Sequence, residues 1–301
     1  MKELVIVGGG PAGLSAAIYA ARAGLDFIVL ERDGFGGGQI TSSHEVENYP
    51  GAGRKSGFDL GQAFRDQAVE LGAEIVYGSV TGIKDLGDCK ELVLDGGEPV
   101  RARAVIAATG ASPRKLGVPG ERELTGAGVS YCATCDGAFF RGKSTLVIGG
   151  GDTAVEDALF LSALCKDVTV ALRRDVFRAA RRRVDLLSAK ENVTILYRTN
   201  LTEIRGEGRV QSVILSGPEG TAERPVDGVF LAVGVEPAGG WLSGLPLALD
   251  GGYVAAGEDC RTNIPGLFAA GDLRKKPLRQ VVTAAADGAN AVTSAMEYLG
   301  R

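Results

Sequence analysis

The sequence predicts an α/β protein of two parallel-sheet domains, the second inserted into the first. Three observations carry this. A strand, a glycine-rich turn, a helix and a second strand follow one another over residues 4–31; the same pattern returns over 145–173; and two further strand-to-glycine runs, 105–110 and 267–272, lie on either side of the second copy. The length of 301 residues, set against a typical domain of ~150, also implies about two domains.

In the first copy the apolar run Leu4-Val5-Ile6-Val7 leads into Gly8-Gly9-Gly10-Pro11-Ala12-Gly13. Leu14, Ala17, Ile18 and Ala21 then recur at i, i+3, i+4 and i+7, a helical stripe that Gly24 stops, and Phe27-Ile28-Val29-Leu30 closes on Glu31. In that frame Gly8, Gly10 and Gly13 form a dinucleotide fingerprint, with an acid about twenty residues on. The first glycine permits the tight turn, the second lets backbone approach a pyrophosphate, and the third allows close helix packing. The helix N-terminus, with Pro11 and Ala12, offers partial positive charge to phosphate, and Glu31 would hold a ribose hydroxyl pair.

The second copy runs Leu146-Val147-Ile148, then Gly149-Gly150-Gly151-Asp152-Thr153-Ala154, a helix with Val155, Ala158, Leu159 and Ser162 on one face, and a strand over 168–172. Gly149, Gly151 and Ala154 repeat the fingerprint, with Asp152 and Thr153 inside it. Here the second strand ends in Arg173-Arg174, with Arg178 beyond, instead of an acid. An acid would repel a 2′-phosphate, whereas a guanidinium binds it bidentately, so this site is expected to prefer NADPH to NADH. A solvated basic surface over 173–183 is the competing reading. Both copies are Rossmann-like, three-layer units. Pro113 within 111–117 and the glycines of 237–244 mark the joints, dividing the chain into 1–112, 113–242 and 243–301.

Composition narrows the function classes. Apolar residues at 45% and charged residues at 23% are ordinary for a globular chain, while 45 glycines, about 15%, are twice the usual share. A net charge of −4 leaves no footprint for nucleic acid or an anionic membrane. No apolar run nears the ~18 residues of a membrane span, and the chain enters a strand at once instead of a signal peptide, so a cytoplasmic location is expected. A Ser-His-Asp hydrolase would depend on the single histidine, His44, which is read as a surface or ligand-adjacent imidazole, and no metal is expected.

Of the five cysteines, only Cys132 and Cys135 are close. Their C-x-x-C spacing suits a disulfide or a reactive dithiol, with Asp136 adjacent as a proton donor and acceptor. Half a zinc site and a pair of inert buried thiols are the alternatives. Cys89, Cys165 and Cys260 read as structural.

Together these features resemble the low-molecular-weight, bacterial-type thioredoxin reductases, class II pyridine nucleotide-disulfide oxidoreductases, over essentially the whole chain. The resemblance rests on 8–13, Gly37-Gly38-Gln39-Ile40, Glu45-Val46-Glu47-Asn48-Tyr49-Pro50-Gly51, Ala108-Thr109-Gly110-Ala111, 132–136, 149–154, and Gly271-Asp272 with Arg279-Gln280. It implies FAD in the first domain, contacted by Gly36, Gly37, Gly38, Gln39, Asn48, Thr109, Gly110, Gly271, Asp272, Arg279, Gln280 and Val281, and NADPH in the second. It also implies a homodimer that passes electrons from NADPH through FAD and the Cys132/Cys135 dithiol to thioredoxin or a similar redoxin, with Cys135 the sulfur nearer the flavin. Two departures stand out. Leu172 occupies the place where the family's basic motif usually has histidine, and Val235-Glu236-Pro237-Ala238-Gly239 lacks the usual Asn-Thr pair. The alternatives kept are the same relay fed by another donor, such as ferredoxin, and a nonenzymatic flavin redox sensor.

Overall fold

A computed structural model describes residues 1–34, 36–43 and 46–301. The chain forms two compact units, Met1–Ser112 with Glu236–Arg301, and Pro113–Val235.

The first unit opens with β1 (Lys2–Val7), α1 (Pro11–Arg22), β2 (Phe27–Glu31), α2 (Gly57–Glu70), β3 (Ile75–Tyr77), β4 (Val80–Asp85), β5 (Lys90–Leu94) and β6 (Val100–Ala107). The chain leaves through β7 (Ala111–Pro113). The second unit holds β8 (Val129–Ser130), α3 (Ala133–Asp136), β9 (Ser144–Ile148), α4 (Asp152–Ser162), β10 (Asp167–Ala171), α5 (Arg181–Ser188), β11 (Val193–Leu196), β12 (Asn200–Arg205), β13 (Ser212–Gly217), β14 (Gly220–Pro225) and β15 (Gly228–Leu231). Return is through β16 (Val235–Pro237), which pairs with β7, to β17 (Leu249–Asp250), β18 (Tyr253–Val254), β19 (Leu267–Ala269) and α6 (Val281–Leu299).

In the first unit β3, β2, β1 and β6 lie side by side and parallel. The later half of β6 adds β19 in parallel, Leu267 opposite Val105, while its earlier half pairs antiparallel with β5 of the β4–β5 hairpin. Because side chains alternate across a strand, Leu4 and Ile6 enter the core shared with α1 and α6, while Val5 and Val7 enter a second core with Ile83, Leu92 and Trp241. Near-continuous apolar strands follow from burial on both faces.

Two details differ from the periodicity. The buried face of α1 is Ala12, Gly13, Leu14, Ala16, Ala17 and Ala20, with Ile18 and Ala21 only partly covered. The stripe is displaced toward α6, where a Cβ on Gly288 would fall on the Ala12 carbonyl oxygen and would lie 3.0 Å from Ser15 Cβ. Only small residues allow this approach. The second joint also lies earlier than the glycines of 237–244 suggest, between Val235 and Glu236, because Trp241 and Leu242 are buried in the first unit's second core.

The second unit is built on a five-stranded sheet in the order β11-β10-β9-β15-β8, parallel throughout. Val147, Val168, Val170 and Phe230 pack against the helices, and Leu146, Ile148 and Val229 against the antiparallel β12–β13–β14 meander. The buried residues of α4 are Ala154, Val155, Ala158 and Leu161; Leu159 and Ser162, expected on its inner face, stand at its edge.

The α1–α6 contact generates a test. Gly288→Ala forces a methyl into a backbone oxygen and is expected to lower stability by about 1 to 3 kcal/mol in a denaturant titration. Unchanged stability would mean that the two helices part freely.

Candidate active site

The first fingerprint separates two kinds of glycine. Gly8 has φ +107, and a Cβ there would lie 2.5 Å from Ala108 O; a Cβ on Gly13 would fall on Gly8 O. Packing alone requires both. Gly10 has an ordinary extended backbone, and its nearest neighbour would be Gly38 Cα at 3.8 Å. The protein itself leaves space there. Glu31 is buried and accepts hydrogen bonds from Gly9 N and, at 2.8 Å, from Asp33 N.

Sequence-distant residues join this loop. Gly37 N donates to Gly9 O at 2.7 Å, and Gly36, Gly37 and Gly38, all at positive φ, turn the chain beside it. The Gln39 amide donates to Ala111 O. Asn48 Nδ2 donates to Gln280 Oε1 at 3.0 Å, and Gln280 caps α6 just ahead of Val281. Thr109 Oγ1 donates to Ala238 O at 2.7 Å, and Gly110 O accepts from Ala238 N. Every candidate first-site residue thus lies in one unit. His44 and Glu45 lie outside the described residues.

Asp287 escaped the motif reading. This buried carboxylate accepts from Gly271 N at 2.9 Å, Arg274 Nε at 2.8 Å and Lys276 Nζ at 2.7 Å, and Arg274 and Lys276 are buried with it. It fixes the corner that presents Asp272. A lone acid in the alanine-rich run 281–296 was the available signal. Beside this cluster, Asp272 Oδ1 and Arg279 Nε are buried with no hydrogen-bond partner among the described residues. Burial raises the Asp272 carboxyl, an effect that Lys276 and Arg279 oppose. Such orphaned atoms are costly unless a further group meets them.

In the second unit Gly149 has φ +150, and a Cβ there would press on Ala154 Cβ at 2.9 Å, whereas a Cβ on Gly151 would meet no described atom within 4 Å. Asp152 Oδ1 accepts from Ala180 N, and Arg178 N donates to Gly150 O at 2.7 Å, so the loop after β10 is tied to the glycine turn. Thr153 stands exposed in the first turn of α4. Arg173, Arg174 and Arg178 occupy that loop and are exposed, without an ion pair among the described residues; the helix α5 begins only at Arg181. Leu172 is buried, and a Cβ on Gly150 would be 3.1 Å from its Cδ1. It is packed inside the domain against the glycine turn.

Cys132 and Cys135 are joined as a disulfide with Cα atoms 5.3 Å apart. Cys132 caps α3, and its carbonyl accepts from Cys135 N and Asp136 N. Ala133 is fully buried in the α4 core, and a Cβ on Gly137 would be 2.9 Å from Phe160, so α3 lies flat on α4. Cys165 and Cys260 are buried free thiols, Cys260 pushed up to about 12 by burial, and Cys89 is half-buried. Among the described residues no helix is long and apolar enough to cross a membrane.

A profile of the pyridine nucleotide-disulphide oxidoreductase family matches residues 2–288. The chain is 44% identical over 302 residues to a thioredoxin reductase of Listeria monocytogenes, covering 99% of this chain and 93% of that one. It is 42% identical over 308 residues to a thioredoxin reductase of Bacillus subtilis, covering 99% and 94%. Its structure is similar to that of thioredoxin reductase from Streptococcus pyogenes, with a TM-score of 0.92 at 40% identity, covering 100% and 98%. The chain therefore belongs to the pyridine nucleotide-disulphide oxidoreductase family, in its bacterial-type thioredoxin reductase branch, whose members are NADPH-dependent flavoproteins working with FAD and a redox disulfide, here Cys132–Cys135.

Proposed function

We propose that this chain reduces the disulfide of thioredoxin, or of a related redoxin, with electrons from NADPH, and that its sites divide as follows. The first unit binds FAD through Gly8, Gly10, Pro11, Ala12, Gly13, Glu31, Gly36, Gly37, Gly38, Gln39, Asn48, Thr109, Gly110, Gly271, Asp272, Arg279, Gln280 and Val281. The second binds NADPH through Gly149, Gly151, Asp152, Thr153, Ala154, Arg173, Arg174 and Arg178. The observation that carries the reading is the pair of orphaned buried atoms, Asp272 Oδ1 and Arg279 Nε, in the unit whose fingerprint leaves Gly10 open. A dinucleotide with a polar chain answers both. Bound FAD supplies a ring that accepts hydride and releases an electron pair to a disulfide.

The protein's own chemistry lies in 132–136. Reduced, Cys132 attacks the substrate disulfide to form a mixed disulfide, and Cys135 displaces the product as a dithiol while the Cys132–Cys135 bond re-forms. Asp136 exchanges the protons this thiol chemistry requires. The family resemblance supports a cytoplasmic homodimer, and sedimentation of the purified protein tests the dimer.

Three outcomes test these assignments. Gly10→Ala and Gly151→Ala are expected to melt like the unaltered protein when all are freed of ligand, yet to lose flavin and NADPH binding respectively, since only a ligand competes for those positions. Retained flavin in Gly10→Ala would remove FAD from the first site. Arg173→Ala or Arg174→Ala is expected to weaken NADPH binding about ten- to a hundredfold, the worth of one charge-assisted hydrogen bond, with NADH little affected. Equal losses would reduce the arginines to surface charge, and indifference of the unaltered protein to both coenzymes would favour a ferredoxin-type donor.

Cys135→Ser is expected to keep flavin, reduce no thioredoxin, and capture it through Cys132 as a covalent adduct that dithiothreitol releases. Capture by Cys132→Ser in its place would exchange the roles of the two sulfurs.

A further inference from the structure

Beside the disulfide, a buried hydroxyl stands between two groups of the thiol chemistry. Ser130 ends β8, is 5% exposed, and is held opposite Phe230 in the parallel pairing of β8 with β15. Its Oγ donates to Asp136 Oδ2 at 2.6 Å and accepts from Cys132 N at 3.1 Å; Cys132 O lies at 3.3 Å from the same oxygen. A hydroxyl has one proton to give, and the shorter contact assigns it to the carboxylate.

We infer that Ser130 is a positioning residue for the dithiol, holding the Asp136 carboxylate and the backbone of Cys132 at a fixed separation from a rigid strand. The inference rests on the reading of Asp136 as the proton-exchanging acid. Three features make the hold stiff. The hydroxyl belongs to a sheet, the acid is the last residue of a helix whose Ala133 is fully buried, and Gly137 packs so close to α4 that a Cβ there would lie 2.9 Å from Phe160 and 3.0 Å from Leu161. The Asp136 carboxylate is therefore held in one place at the end of α3, and a donated hydrogen bond favours its charged form, ready to take a proton.

Other titratable groups surround this point. On α4 they are the exposed Asp152 and Glu156 and the half-buried Asp157, whose carboxyl burial pushes up to about 7. Next to Cys132, the Tyr131 hydroxyl donates to the buried Glu121 at 2.8 Å and accepts from Lys115 at 3.0 Å, and burial raises its phenol. Asp157 is the neighbouring acid whose titration the test separates from that of Asp136.

The test is the rate at which iodoacetamide alkylates the dithiothreitol-reduced, full-length protein as a function of pH, followed by mass spectrometry. The acid-side inflection is expected to vanish in Asp136→Asn and to persist in Asp157→Asn. Ser130→Ala should move it upward by about one pH unit, because a carboxylate deprived of its donor holds its proton to higher pH. Ser130→Thr, which keeps the hydroxyl, should restore the original position. An inflection that stays in place in Ser130→Ala, whatever that variant's melting temperature, would overturn the inference and leave Ser130 a structural residue. Survival of the inflection in Asp136→Asn would instead overturn the reading of Asp136 on which the inference rests.

Discussion

Both units depend on backbone approaching backbone where no side chain fits. In the first, the Gly8 carbonyl oxygen occupies the place of a Cβ on Gly13, and the Ala12 oxygen that of a Cβ on Gly288. These contacts set α1 close against β1 on one side and α6 on the other, so the helix N-terminus opens directly above the strand end. The second unit achieves the same turn with one methyl: Ala154 stands at the third position, and the constraint passes to Gly149. Dispersion over such tight interfaces, together with apolar burial, compensates the entropy of ordering so much glycine.

Charge is used where this packing cannot hold a loop. The chain between β19 and α6 carries Gly271, Asp272 and Arg279, and its course is set by one buried carboxylate, Asp287, against Arg274 and Lys276. Removing one partner from such a cluster leaves an uncompensated buried charge, a loss of about 3 to 5 kcal/mol. Beside this cluster, Asp272 Oδ1 and Arg279 Nε stay buried without a hydrogen-bond partner among the described residues.

The redox end of the second unit follows a related plan. A short helix lies flat on α4 through Ala133 and Gly137, a strand-borne hydroxyl meets the acid at its end, and the disulfide closes its first turn. Rigid elements therefore frame Cys132, Cys135 and Asp136, while the arginines of the coenzyme loop stay exposed and are positioned through their backbone, Arg174 O accepting from Arg198 N and Arg178 N donating to Gly150 O.

Local pattern by itself determined the two strand–turn–helix–strand units, the C-x-x-C and the exchange of Glu31 for Arg173, because each is written within a few dozen consecutive residues and follows from periodicity or from the chemistry of neighbouring side chains. Tertiary structure decided what depends on partners far along the chain. The stripe of α1 turned toward α6 because Gly288 admits it, the second joint moved ahead of Trp241 because that ring is buried in the first unit, and Leu172 turned inward onto Gly150. Asp287 reads in sequence as one acid among alanines, and Ser130 belongs to no motif. Their roles arise from hydrogen bonds to Arg274 and Asp136, and local sequence does not encode which polar group a fold will bury beside another.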